Sequence, residues 1–303
     1  MLVSAPRSTR VEINGWVCLD KPVGLTSTQA VSQLRWLYNA KKAGHAGTLD
    51  PLASGVLPIA FGEATKTVAI VQDGVKSYRF TVKWGEETDT DDSEGRVIAT
   101  SDARPEPAAI EALLPHFTGM IRQTPPIYSA IKIAGERAYD LARDGEAVEM
   151  TPREVVVYRL ALISSEPNLA VFDAECGKGT YVRAIARDIG RALGCRGHVV
   201  ALRRMRVGPF HLEGAAKLDD LRERPERLQS ALAPVTAGLA EWRALAIDRD
   251  AAAILRRGQK LLLRGRDVLA EGPAYAACFG APVAFGAIEA GYFVPTRVFN
   301  LPG

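Results

Sequence analysis

Residues 44–55 read Gly-His-Ala-Gly-Thr-Leu-Asp-Pro-Leu-Ala-Ser-Gly. The one acid in this stretch, Asp50, stands among small and apolar residues, directly before a proline and between glycines. Acids of folded proteins mostly sit on charged, water-facing surfaces. Pro51 biases Asp50 away from the α region, towards an extended or turn conformation. Gly44, Gly47 and Gly55 allow a tight backbone and close approach by a ligand. On these residues alone two readings stand: a structural Asx-turn, or a carboxylate held in a cleft for chemistry. His45 is equally open, as a satisfied structural histidine or a working one.

Outward from this turn, residues 56–61 form a short apolar run bounded by glycines and predict a buried strand despite Pro58. Residues 13–21 predict a first strand, stopped by Pro22 and Gly24. Thr26-Ser27-Thr28 predicts the cap of a helix running to about Tyr38. Residues 77–84 alternate cleanly and predict a strand with one solvated face, with 97–100 pairing nearby. Residues 105–117 predict a helix with Ile110, Leu113 and Leu114 on one side. Residues 121–153 mix polar and apolar positions over a length that suits a functional excursion better than a core. Strands follow at 155–164, 170–176 and 198–207, with helices at 181–193, 217–222 and 228–232. Residues 234–240 read as a join. Beyond them a helix at 249–257 ends at Gly258. Apolar segments at 260–263, 267–270, 274–279, 282–288 and 292–299 then predict a small β-barrel or sandwich.

A chain of 303 residues is too long for one small core and predicts a large domain plus a smaller one. With 47% apolar and 24% charged residues, the composition excludes a long disordered tract. A net charge of +3 permits nucleic-acid binding without demanding it. Cys18, Cys176, Cys195 and Cys278 lie far apart, which argues against a disulfide framework and for a reducing cytoplasm. Residues 1–10 lack the apolar core of a signal peptide, and no apolar run approaches membrane-spanning length. Residues 1–12 are expected to form a flexible tail.

Several common chemistries fail on spacing. Gly177-Lys178-Gly179-Thr180-Tyr181-Val182 starts like a dinucleotide fingerprint but has valine where the third glycine belongs. There is no phosphate-binding GxxxxGK[ST], and Ser54 lacks the glycine two residues earlier that a nucleophile elbow needs. Cys195 and His198 make at most half a metal site. The acidic run 89–95 fails as a calcium loop, because Glu94 and Thr100 occupy the positions for the glycine and the bidentate glutamate. Most of these carboxylates are expected to form a solvated turn.

Six segments then occur in order: Leu19-Asp20-Lys21-Pro22 with Gly24-Leu25-Thr26-Ser27; 44–51; Lys76-Ser77-Tyr78; 123–130 with 134–139; Gly179-Thr180-Tyr181-Val182-Arg183; and 198–204. Together they resemble the bacterial TruB family, the tRNA pseudouridine-55 synthases, over nearly the whole chain. One departure is Gly177, where a serine is expected after Cys176. The resemblance is weaker after Pro234, where the segment is similar to a PUA domain and 291–298 fits best.

The resemblance implies an α+β fold: a mixed, largely antiparallel sheet with flanking helices, the pseudouridine synthase fold, over 13–236. It also implies an RNA-binding insertion at 121–153 and a PUA-like RNA-binding β-barrel over 240–303. The implied reaction isomerises uridine-55 in the T-loop of tRNA. The N1–C1′ bond breaks, the base turns, and C5 joins C1′. Atoms are neither gained nor lost beyond exchanged protons, so neither cofactor nor metal is expected. Asp50 is implied as the nucleophile, with Arg183 as its ionic partner or as a phosphate contact, and Asp92 holding Arg183 from its other side. Tyr78 would stack on the uracil and relay the C5 proton, or pack in the core. Tyr181 and Leu202 would wall the base pocket, and His45 would fill the space left by the flipped base. Lys21, Lys66, Arg137, Arg143, Arg203 and Arg204 could meet phosphates or serve as ordinary solvated charges. The implied partner is the tRNA T-arm stem-loop, met by a cytoplasmic monomer with no membrane and no obligate protein partner. Attack at C1′ and at C6 both stay open. A non-catalytic RNA chaperone is the competing class. A synthase of a guide-RNA particle is the third reading, disfavoured by the large insertion and the lack of a long basic tail.

Overall fold

The computed structural model describes residues 9–129, 132–133, 136–137 and 150–301. The chain enters the main sheet on β1 (Gly15–Lys21), passes through α1 (Ser27–Leu37) and β2 (Ala43–His45), and returns on β3 (Ala53–Phe61). Thr26 sets the start of α1 through a capping box. Its hydroxyl accepts from Gln29 N, and the Gln29 side chain accepts from Thr26 N. β3 is apolar at nearly every position and buried at all but Ser54, as a strand covered on both faces must be.

After α2 (Val68–Asp73), β4 (Lys76–Trp84) runs through the sheet, and β5 (Glu86–Thr88) pairs with β6 (Val97–Thr100) beyond it. α3 (Pro107–Leu113) leads to β7 (Gly119–Gln123). β8 (Lys132–Ile133) pairs with β9 (Glu136–Arg137). β10 (Arg153–Glu166) and β11 (Leu169–Cys176) form a long hairpin. α4 (Val182–Ala192) then feeds β12 (Gly197–Val207), β13 (Phe210–His211) and β14 (Ala216–Lys217), followed by α5 (Leu218–Glu223) and α6 (Arg227–Ala231). The strand order is β14-β1-β3-β12-β4-β11-β10-β7, with β2 on β3 and β13 on β12. In this sheet the β1–β14 and β3–β12 pairs are parallel, and the remaining pairs among the described residues are antiparallel. The mixed, largely antiparallel sheet with flanking helices is therefore as expected.

A second sheet of five strands comprises β15 (Arg243–Ala246), β16 (Leu261–Leu262), β17 (Gly272–Cys278), β18 (Ala281–Glu289) and β19 (Tyr292–Val298), in the order β15-β17-β18-β19-β16. α7 (Arg249–Arg256) packs on it through Ala252 and Leu255. The two sheets share a core. Trp16, Val56, Val71 and Val207 cluster with Phe285 and Phe299. No helix among the described residues is long and apolar enough to cross a membrane.

Some local expectations are corrected. Residues 267–270 are not a strand but belong to a 3-10 turn, Gly265–Leu269. Residues 243–246 pair as an edge strand of which only Leu245 is buried, too little apolar signal to read. The helix expected over 105–117 is α-helical only over Pro107–Leu113 and tightens ahead of Pro115 into the 3-10 turn Leu114–Phe117. The excursion expected from 121 starts later, because 119–123 belong to β7, whose outer face is largely exposed. Most of the rest, with Arg137 and Arg143, lies outside the residues described at the side-chain level. The tail expected over 1–12 is tied down at its end. Val11 N donates to Asn39 O at 2.9 Å and Val11 O accepts from Lys41 N at 3.0 Å.

Candidate active site

The turn between β2 and β3 is held from two sides. Ser27 Oγ accepts from Leu49 N at 2.8 Å and lies 3.0 Å from Leu49 O, fixing the residue before Asp50. From the other side comes Arg204 of β12, only 2% exposed. Its guanidinium donates to Val56 O at 2.8 Å and to Thr48 O and Gly47 O at 3.1 Å each. Two carbonyls of the turn and one of β3 thus converge on a buried cation. Arg204 is a brace for the turn and not the free phosphate contact that its basic neighbourhood suggested. These anchors free the Asp50 carboxylate, 35% exposed, to face a cavity.

Arg183 reaches the same point from the first turn of α4. Gln123 fixes that helix start: its amide oxygen accepts from Tyr181 N at 2.8 Å and its amide nitrogen donates to Tyr181 O at 3.1 Å. Arg183 is 4% exposed. Its Nε lies 3.1 Å from Asp50 Oδ2, but the N–H makes no hydrogen bond, so this contact is an ion pair without directional aim. Nη1 donates to Asp92 Oδ2 at 3.0 Å and to Thr90 O at 2.8 Å, and Nη2 to Tyr128 O at 2.9 Å. Asp92 Oδ1 in turn accepts from Thr90 Oγ1 at 2.6 Å and Glu94 N at 3.0 Å. Arg183 therefore stands between Asp50 and Asp92. The acidic run is not simply a solvated turn. Asp91 and Asp92 are buried because arginines of α4 supply the charge that burial requires.

The cavity encloses about 590 Å³, within the range of small-ligand pockets. Asp50, Tyr78, Tyr181, Arg183 and Leu202 line it, as do Lys76, Arg153 and Lys178. Burial pushes the Tyr78 phenol up, with Arg204 opposing. Burial also lowers Lys76 to about 8. Arg153 lies over the Tyr181 ring at 5.2 Å.

The remaining expected residues sit elsewhere. Lys21 is wholly buried behind the turn. Its ammonium donates to Pro22 O at 2.8 Å and Leu25 O at 2.6 Å, and burial lowers it to about 8 against the pull of Asp50. Lys66 pairs with Glu63 at 2.7 Å and donates to Val298 O at 2.9 Å, so it ties the first sheet's flank to the second sheet. Arg203 pairs with Asp20 at 2.8 Å. His45 lies on β2, opposite Ile59, and is not among the cavity-lining residues described. Among lining residues not singled out earlier, Lys76 carried a signal: it lies two residues before Tyr78 on a strand, hence on the same face. Arg153 and Lys178 carried none.

With this geometry in place, likeness to known proteins is informative. A family model described as TruB family pseudouridylate synthase (N terminal domain) matches residues 35–182. A second, described as tRNA pseudouridylate synthase B C-terminal domain, matches residues 183–240. The chain is 58% identical over 306 residues to tRNA pseudouridine synthase B of Bradyrhizobium diazoefficiens, covering 98% of this chain and 89% of that one. It is 55% identical over 308 residues to the Rhizobium meliloti protein of the same name, covering 98% and 99%. A chain of a solved Cbf5-Nop10-Gar1 complex is similar with a TM-score of 0.71 and 25% identity, over 94% of this chain and 83% of that chain. In fold alone, a chain of an H/ACA RNP bound to a substrate RNA containing 2′-deoxyuridine is similar too, with a TM-score of 0.72, 24% identity and coverage of 95% and 85%. The fold is thus that of the pseudouridine synthases. The chain belongs to the TruB family of pseudouridylate synthases.

Proposed function

We propose that this enzyme converts uridine-55 in the T-loop of tRNA to pseudouridine, with Asp50 as the nucleophile. The observation that carries the reading is the Asp50–Arg183–Asp92 arrangement at the cavity. The names of the relatives supply the tRNA. Arg183 neutralises the Asp50 carboxylate between turnovers, and Asp92 keeps that guanidinium in place. Asp50 bonds to C1′ as N1 leaves with the electron pair, or it adds to C6 as the C5=C6 pair moves onto O4, after which the N1–C1′ bond breaks with its pair on N1. The detached base turns, C5 bonds to C1′, Asp50 is released, and C5 loses its proton. Tyr78 stacks on the base, and its phenol, which burial pushes up, relays that proton by passing its own to solvent at the mouth of the cavity as it takes the one from C5. Tyr181 and Leu202 wall the base, and His45 fills the space it leaves in the RNA.

In this reading residues 13–236 form the catalytic domain and 121–153 grip the RNA. Residues 240–303 are a PUA-like RNA-binding barrel. The enzyme acts as a cytoplasmic monomer on the T-arm, without cofactor, metal or protein partner.

The test is tritium release from a tRNA transcript carrying 5-tritiated uridine, with EDTA present. Release is expected to be stoichiometric with one uridine and to vanish when the T-loop target is cytidine. Binding without release would make the protein an RNA chaperone. Arg183→Lys is expected to slow single-turnover release roughly 100-fold, because a lysine cannot reach Asp50, Asp92 and two carbonyls together. Quench-flow on pre-bound transcript measures it, and an unchanged rate would restrict Arg183 to phosphate binding.

A further inference from the structure

The acidic run and α4 meet along more than the contact at Asp92. Arg183, Arg187 and Arg191 recur every four residues, hence on one face of the helix. They pair with Asp92, Asp91 and Glu87 respectively. The middle pair does not touch the cavity, and the chemistry above makes no use of it. Arg187 is 6% exposed and Asp91 4%. Arg187 Nη1 donates to Asp91 Oδ2 at 2.8 Å, Nη2 to Thr124 O at 2.8 Å, and Nε to Asp188 Oδ1 at 2.8 Å. Asp91 adopts a left-handed backbone, φ 61°, that side-chain-bearing residues rarely visit and aspartate tolerates better than most. Its carbonyl accepts from Val199 N at 3.1 Å, and Ser93 N donates to Val199 O at 3.0 Å, which stitches this turn to β12.

The acceptors of Arg183 flank those of Arg187. Thr90 O and Asp92 lie on either side of Asp91, and Tyr128 O lies four residues beyond Thr124 O. Arg187 thus grips both walls of the slot that seats the Arg183 guanidinium. The seat decides where Arg183 Nε points, and that nitrogen is close to Asp50 without being aimed at it. We infer that Arg187 and Asp91 are positioning residues for the reaction, holding the Arg183 guanidinium beside Asp50 from one helical turn away. The inference rests on Asp50 being the nucleophile.

Asp91→Asn is the discriminating variant. Asparagine keeps the shape and tolerates the left-handed backbone, and Arg187 retains Asp188 and Thr124 O. Burial pushes the Asp91 carboxyl up to about 6 against the pull of Arg187 and Arg183. A carboxyl whose pKa is higher folded than unfolded destabilises the fold at pH above both values. Removing its charge relieves that cost but leaves the buried Arg187 cation with only Asp188 and Thr124 O, so Asp91→Asn is read beside the double variant, which keeps neither charge. A purely structural pair would move stability and rate together; a positioning pair separates them.

The experiment compares single-turnover tritium release, transcript affinity and melting temperature for wild type, Asp91→Asn, the double variant Asp91→Asn/Arg187→Gln, and Asp50→Asn. Undiminished melting is expected for the double variant, and for both it and Asp91→Asn wild-type affinity and release slowed about 10- to 100-fold. The double variant leaves no buried charge of the pair unmatched, so its folding tests packing separately from aim. Release within about twofold of wild type in either would overturn the inference, as would a rate loss in the double variant that tracks a fall in its melting temperature. If Asp50→Asn is inactive while Asp91→Asn is normal, only this inference fails. If Asp50→Asn is active, the nucleophile assignment fails and the inference falls with it.

Discussion

Asp50→Asn is expected to abolish tritium release, by at least about 10⁴-fold, while the transcript still binds. Asparagine is nearly isosteric, so the loss would not come from a collapsed turn. That turn is held by Ser27 and Arg204. Nor would the substitution strand a buried cation, because Arg183 keeps Asp92 and two carbonyls. Removing a negative charge from the cavity does not weaken attraction for a polyanion. What disappears is the oxygen nucleophile. A filter-binding isotherm beside the release assay separates the two effects. Full activity in the variant would put the nucleophile elsewhere.

The second large effect is structural. Gly55→Ala is expected to destabilise the protein by about 3 kcal/mol or more, measured by urea unfolding. Gly55 has φ 103°, and a Cβ there would lie 2.2 Å from Arg204 O and 2.9 Å from Arg204 N. Both clashing atoms are main chain of the neighbouring parallel strand and cannot swing aside as a side chain would. Relief would mean parting β3 from β12, where Gly55 pairs with Arg204, and that pulls the brace off the Asp50 turn. Gly44→Ala is the control. Its Cβ would meet nothing within 4 Å, so a change within about 0.5 kcal/mol is expected. Equal stability of the two variants would mean that the strands separate easily.

What could be read from the chain alone was what is local. The 77–84 alternation, the Thr26 cap and the glycine-flanked acid each declare themselves within a dozen residues. The α4 ladder does not, because Asp92 and Arg183 are 91 residues apart and Asp91 and Arg187 are 96. In isolation an Asp-rich run looks like a water-facing turn. The legible signal lay on the other partner. Between the arginines of α4 stand Ala184, Ile185, Ala186, Ile189 and Gly190, all buried. A helix apolar on its other faces can bury arginines only if acids come to meet them. Arg204 was readable too. It lies two residues after Leu202 on a strand, so it shares the inward face of a residue already assigned to the pocket wall. Lys66 was not readable, since its acceptor, Val298 O, belongs to a strand more than 200 positions later.

The brace on the Asp50 turn also sets when that turn can be assembled during synthesis. Thr48 and Gly47 leave the ribosome early, but the guanidinium that seats their carbonyls arrives about 150 residues later, and Arg183 not long before it. Until β12 has emerged and inserted between β3 and β4, the nascent chain carries Asp50 on an unsupported loop. With Asp50 as the proposed nucleophile, a nascent chain lacking β12 is expected to release no tritium from the RNAs around it.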